Sequence, residues 1–160
     1  MVYNKYMEGF KPIFYKNSNV LILGSFPSVI SRKNNFYYGN KHNKFWKTME
    51  KIFNVQLNSV EDKICFIKNN HLALWDIVES CEIEGSLDVN IKNVKFANLK
   101  KVLPPNTNVH KILCNGKKSF DLTKRYLKQE QINIEIVCLP STSPANTRFN
   151  IENWKNELNK

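Results

Sequence analysis

Four short apolar runs constrain this chain more than any other feature. "NVLILG" (19–24), "LALWDI" (72–77), "HKILCNG" (110–116) and "INIEIVCL" (132–139) are six to eight residues long and rich in Leu, Ile and Val. That pattern predicts strands buried on both faces. Helical spacing fills the intervals. Phe45, Trp46, Met49, Ile52 and Phe53 form an apolar stripe with Asn43 as its N-cap. Ser59 and Asp62 make a capping box for a helix carrying Val60, Ile64 and Ile67. "VKFANLKKVL" (94–103) predicts a helix stopped by Pro104–Pro105. A basic helix follows residue 116 and runs to about Glu130, and a last one starts near Asn150 with Ile151, Trp154 and Leu158 on one face. Buried strands joined by helices imply an α/β fold: one domain over residues 1–160, with a short parallel sheet of about four strands flanked by helices on both faces. No repeat or linker divides the chain. Ligands of such sheets bind beyond the carboxyl ends of the strands.

Charge narrows the partner. The formal net charge is +10, concentrated in two blocks. Residues 31–55 hold six Lys/Arg against one acid, and residues 92–128 hold ten against one, leaving the remainder slightly acidic. A solubilising surface would mix the signs, so the blocks point to a polyanion, nucleic acid before a membrane surface. A lysine-rich composition is the plainer alternative. No apolar run is long enough to span a bilayer, and the expected location is cytoplasmic, beside the nucleoid. Cys65, Cys81, Cys114 and Cys138 include no CxxC pair and are expected as free thiols, with Cys114 and Cys138 buried in strands. The histidines lack metal-site spacing, so neither a metal nor another cofactor is expected.

The strand ends carry the chemistry. "GSFPS" (24–28) offers a turn at Gly24 and Pro27, hydroxyls at Ser25 and Ser28, and the Phe26 ring. "NGKKS" (115–119) lacks the first glycine of a phosphate loop, because Lys111 stands there, yet Lys117 at a helix start suits a phosphate. "LPSTSPANTR" (139–148) is a stiff hydroxyl-rich loop suited to a nucleic-acid backbone. Asp76 and Asp88 are the carboxylates near strand ends or loops; the ordinary role of an Asp there is a cap or turn. Finally, "NNFYYGNKHNKFWKTM" (34–49) sets two tyrosines, a glycine and amides before a helix. That mixture suits a pocket for a flat heterocycle and a water molecule.

Together "LILGSFPS", "FYYGNKHNKFW", "ALWDIVESCEIEGSLD", "ILCNGKKSF" and "LPSTSPANTR" resemble the uracil-DNA glycosylase superfamily, in its hypoxanthine-DNA (deoxyinosine) glycosylase branch. The resemblance covers about residues 10–158, with "YYGN" and "NKFW" its specific part. It implies a DNA-repair hydrolase that flips a deaminated base out of DNA and hydrolyses its N-glycosidic bond, leaving an abasic site. Asn40 resembles the catalytic asparagine that orients the attacking water. Ser25, Phe26, Pro27, Ser28, Tyr38, Gly39 and Asn43 would form the base pocket, Phe26 stacking on the base and Gly39 allowing a tight turn. Ser141, Thr142 and Ser143 would hold phosphate. Pro144, Ala145 and Asn146 would enter the base stack or meet the opposite strand, while Arg148 and Lys117 would add charge. The implied partner is DNA containing deaminated bases, met by a monomer without a cofactor. Relatives with high uracil activity often carry an Asp or Asn after the first strand and a His heading the last loop. Phe26–Pro27 and Leu139 stand there instead, which favours a purine-directed enzyme. A uracil- or mismatch-directed glycosylase, a non-catalytic nucleic-acid-binding module and a hydrolase of free nucleosides remain as alternatives.

Overall fold

In the computed structural model, which describes residues 5–159, the four apolar runs form one parallel sheet. In chain order the strands are β1 (Lys5–Glu8), β2 (Val20–Gly24), β3 (Leu72–Asp76), β4 (Val78–Ile83), β5 (Lys92–Phe96), β6 (Lys111–Asn115) and β7 (Glu135–Leu139). The helices are α1 (Val29–Asn34), α2 (Phe45–Phe53), α3 (Val60–Asn69), α4 (Lys117–Glu130) and α5 (Ile151–Leu158). The parallel sheet has the order β3-β2-β6-β7. Its central strands are the driest: Leu21, Ile22, Leu23, Ile112, Leu113 and Cys114 are fully buried. Burying both faces of a strand explains why these runs do not alternate.

Helix starts are chemically specified. Ser59 Oγ accepts from Asp62 N–H at 3.0 Å, and Asn150 Oδ1 accepts from Glu152 N–H at 2.9 Å. Asn43 lies one residue earlier than expected of the N-cap of α2. Lys44 holds that position, while Asn43 Oδ1 accepts from Phe45 N–H at 2.9 Å and satisfies one of the helix's free donors. Phe45, Trp46 and Met49 then enter the core as their spacing predicts.

The region between β3 and β6 departs from expectation. Residues 94–103 are not a helix: they contribute the end of β5 and a short 3-10 turn, Leu99–Val102. β5 completes an antiparallel sheet of order β1-β4-β5. Val94 and Phe96 alternate towards the core, and Lys95 pairs with Glu79 at 3.3 Å. The apolar spacing in this stretch fits either period, and strand pairing decided it. Helix α1 also escaped the apolar pattern, because it is short and exposes Val29 and Ile30. Cys114 is buried as expected, but Cys138 is exposed on edge strand β7; all four cysteines are free. No helix among the described residues is long and apolar enough to cross a membrane.

Candidate active site

The carboxyl ends of β2, β3, β6 and β7 open onto a cleft of about 600 Å³. Gly24, Ser25, Phe26, Pro27 and Ser28 form one wall after β2. Asn115 ends β6, and Ser141 to Asn146 follow β7 on the opposite side. Tyr37, Tyr38, Asn40 and Asn43 close the cleft from the loop before α2. Asp76 at the end of β3 and Ser86 to Val89 complete the lining, so segments from along the whole sequence converge at the carboxyl edge of the sheet.

The tyrosine loop is held from both ends. Tyr37 Oη donates to the Lys11 carbonyl at 2.6 Å, and Trp46 Nε1 donates to the Tyr37 carbonyl at 2.9 Å. Tyr38 adopts φ 53°, a left-handed conformation costly for an aromatic residue, and stacks on Phe45 at 4.2 Å between centroids. Tyr38, not Gly39, therefore makes the unusual turn. Gly39 is needed for space: a Cβ there would stand 3.1 Å from the Phe36 carbonyl and 3.2 Å from Asn34 Cβ. Its N–H donates to Ser31 Oγ at 3.0 Å, and its carbonyl accepts from Asn34 Nδ2 at 2.9 Å. These bonds set the position of the next residue, Asn40.

Asn40 is half-buried at the cleft. Its Oδ1 accepts from His42 N–H at 2.9 Å. Only an oxygen can accept that bond, so the amide orientation is fixed. One Oδ1 lone pair and the whole NH₂ group are left without a protein partner among the described residues. An acceptor and a donor held side by side can position water.

The loop after β7 is anchored by Thr142. Its N–H donates to Asn115 Oδ1 and its Oγ1 accepts from Asn115 Nδ2, both at 2.9 Å. Its carbonyl accepts from Lys44 N–H at 2.9 Å, joining this loop to the start of α2. Thr142 is fully buried, which removes it from the expected phosphate contacts; it supports the loop instead. Ser141 and Ser143 are partly exposed, and Pro144 and Ala145 are exposed at the edge. Asn146 Nδ2 donates to the Ser141 carbonyl at 2.9 Å. Arg148 and Lys117 are exposed outside the cleft lining, and Lys117 lies 3.6 Å from Asp121. On the other wall, Ser28 Oγ accepts from Ser31 N–H at 3.1 Å and caps α1. Ser25 Oγ donates to Asp88 Oδ1 at 2.6 Å, and the Arg32 guanidinium lies 5.5 Å from the Phe26 ring centre.

Two groups matter more here than their sequence context indicated. Asn115 carries the loop anchor, although a strand-end amide gave no such signal. Asp76 is 4% exposed, and its Oδ2 has no hydrogen-bond partner among the described residues. Burial, then the nearby Asp88, pushes its carboxyl up to about 7. The Tyr38 hydroxyl is also buried without a partner, and burial, then Asp76, raises its pKa. Asn115 opposes that shift, but its amide is engaged with Thr142. Beside the cleft, a second recess of about 470 Å³ is lined by Lys41, His42, Asn43, Lys44, Lys47, Lys51 and Phe149, a cationic surface next to Asn40.

The family model of the uracil DNA glycosylase superfamily matches residues 12–160. The chain belongs to that superfamily. Its relatives include two proteins named "Hypoxanthine DNA glycosylase". The one from Methanosarcina barkeri is 35% identical over 146 residues, covering 88% of this chain and 89% of the relative. The one from Methanosarcina acetivorans is 33% identical over 147 residues, covering 89% of each. A solution NMR structure from M. acetivorans, named as a uracil DNA glycosylase, superposes with a TM-score of 0.80 at 30% identity. That match covers 98% of this chain and all of the other. Superfamily membership agrees with the parallel sheet flanked by helices.

Proposed function

We propose that this superfamily member is a monofunctional DNA glycosylase that removes hypoxanthine from deoxyinosine in DNA. The observation carrying this reading is Asn40, an amide of fixed orientation beside the cleft with a free acceptor and a free donor. The two curated relatives bear the name hypoxanthine DNA glycosylase, and the cationic recess beside the cleft suits a phosphate backbone.

An amide is too weak a base to deprotonate water before the sugar changes. The reaction therefore runs through loss of the base. The C1′–N9 bond breaks with its electron pair going to the base, and the deoxyribose becomes oxocarbenium-like. Asn40 holds a water against the electrophilic C1′, where position matters more than basicity. The water adds, its proton passes to solvent, and an abasic site remains. Among the described residues the cleft lining holds amides, hydroxyls and carboxyls, and the monofunctional reading rests on a water, not an amine, attacking C1′. Phe26 supplies a ring face for the flipped base, while Pro144 and Ala145 reach towards the gap it leaves.

The test incubates the protein with duplexes carrying a single inosine, uracil or xanthine, then cleaves abasic sites with alkali. Strand breaks are expected first at inosine. Salt-sensitive binding without a break at any lesion would contradict the enzyme and leave a binding module.

A further inference from the structure

We infer that Asp76 is the group that meets the extruded base, donating a hydrogen bond from a neutral carboxyl; this rests on the glycosylase reading above. Asp76 ends β3 directly opposite Gly24 of β2. It is buried, yet it belongs to the cleft lining, and its Oδ2 has no partner. The Tyr38 hydroxyl beside it is likewise unpartnered. Gly24 keeps both groups in place: a Cβ there would run into Asp76 Oδ1 and stand 3.0 Å from Tyr38 Oη. Unpaired buried polar atoms are costly, and two of them converging in a binding cleft mark the place where a ligand completes the bonding.

The surroundings favour the neutral acid. Asp88, on the 3-10 turn Asp88–Asn90, is the charged group acting on Asp76. Phenols Tyr37 and Tyr38 face it from the loop before α2, β2 offers only Gly24, and β6 offers the uncharged Asn115. Burial and a second carboxylate both disfavour ionisation. A neutral carboxyl can donate its O–H, which a carboxylate cannot. Hypoxanthine presents acceptors at O6 and its ring nitrogens. As the C1′–N9 bond breaks, these acceptors gain negative charge, so a bond donated by Asp76 strengthens towards the transition state. The proton stays on Asp76, and the departed base takes its own from solvent.

Single-turnover release of hypoxanthine from an inosine duplex, measured from about pH 5.5 to about 9, tests this role. The wild-type rate is expected to fall about tenfold per unit above the point where Asp76 ionises. Asp76→Asn, which still donates but does not titrate, is expected to stay within about tenfold of the acidic-limb rate and to lose the alkaline decline. Asp76→Ala is expected to run about 100-fold below the wild-type acidic-limb rate and to lose the alkaline decline, so that the gap narrows as pH rises. A wild-type rate in Asp76→Ala, or an unchanged alkaline decline in Asp76→Asn, would overturn the inference while leaving the glycosylase intact. Should Asp76→Ala fail to fold, the Asp76→Asn profile decides. A wild-type protein that releases no base from any lesion would contradict the enzyme itself, and this role with it.

Discussion

Asp76, Gly24 and Tyr38 form a cluster in which each residue limits the others. The carboxyl of Asp76 is raised from an ordinary value of 3.8 to about 7, because burial disfavours its charge and Asp88 repels it. For an acid with a raised folded pKa, stability is fullest while the group is neutral in both states. It is lost as pH climbs from the unfolded towards the folded value. Wild type is therefore expected to weaken relative to Asp76→Asn between about pH 4 and about pH 7, by on the order of a few kcal/mol. Urea unfolding of both proteins at the two ends of that range measures it, and a difference independent of pH would contradict the assignment. Gly24→Ala belongs to the same scale. Its methyl group would collide with Asp76 and crowd Tyr38, so a loss of about 1–3 kcal/mol is expected in the same unfolding experiment. Little of this was visible in the sequence. An Asp at a strand end is usually a turn residue, and the missing hydrogen bond exists only once β2 and β3 lie side by side.

At the scale of elements, the loop after β7 is rigid because of what lies beneath it. Thr142 exchanges two hydrogen bonds with Asn115, and Trp154 Nε1 donates to the Pro140 carbonyl at 2.9 Å. α5 is further held by Lys111, whose Nζ lies 3.2 Å from Glu157. Asn115→Ala removes both bonds to Thr142 and leaves a buried hydroxyl unpaired. A cost of about 1–3 kcal/mol is expected, with slower base release from a loosened loop; unchanged melting and turnover would contradict this support. The sequence did reveal the loop, through its prolines and hydroxyls. It did not reveal the division of labour, because the seryl and threonyl hydroxyls look alike until burial separates Thr142 from its neighbours. The four strands of the parallel sheet were legible from their unbroken apolar runs. β5 was not, since Val94 and Phe96 fit a strand while Val94, Ala97 and Val102 also fit a helix.

For the whole molecule, the sheet gathers polar recognition groups in one cleft and sets cations next to it. Lys41, Lys44, Lys47 and Lys51 lie in the adjoining recess, as the basic block at residues 31–55 led one to expect. Replacing Lys47 and Lys51 together by Gln should weaken DNA binding alike for damaged and undamaged duplexes. The slope of log affinity against log salt should fall by up to about 2, with the single-turnover rate at saturation little changed. An unaltered slope would place the backbone elsewhere. Asn40 stands where the cationic recess and the cleft adjoin, and the proposed chemistry turns on it. The most direct test is single-turnover base release by Asn40→Ala on an inosine duplex, alongside its affinity for that duplex. A loss of about 100-fold or more in rate, with affinity within about threefold of wild type, is the expected result. Equal loss of rate and affinity, or a rate that survives the substitution, would contradict the claim that this amide places the attacking water.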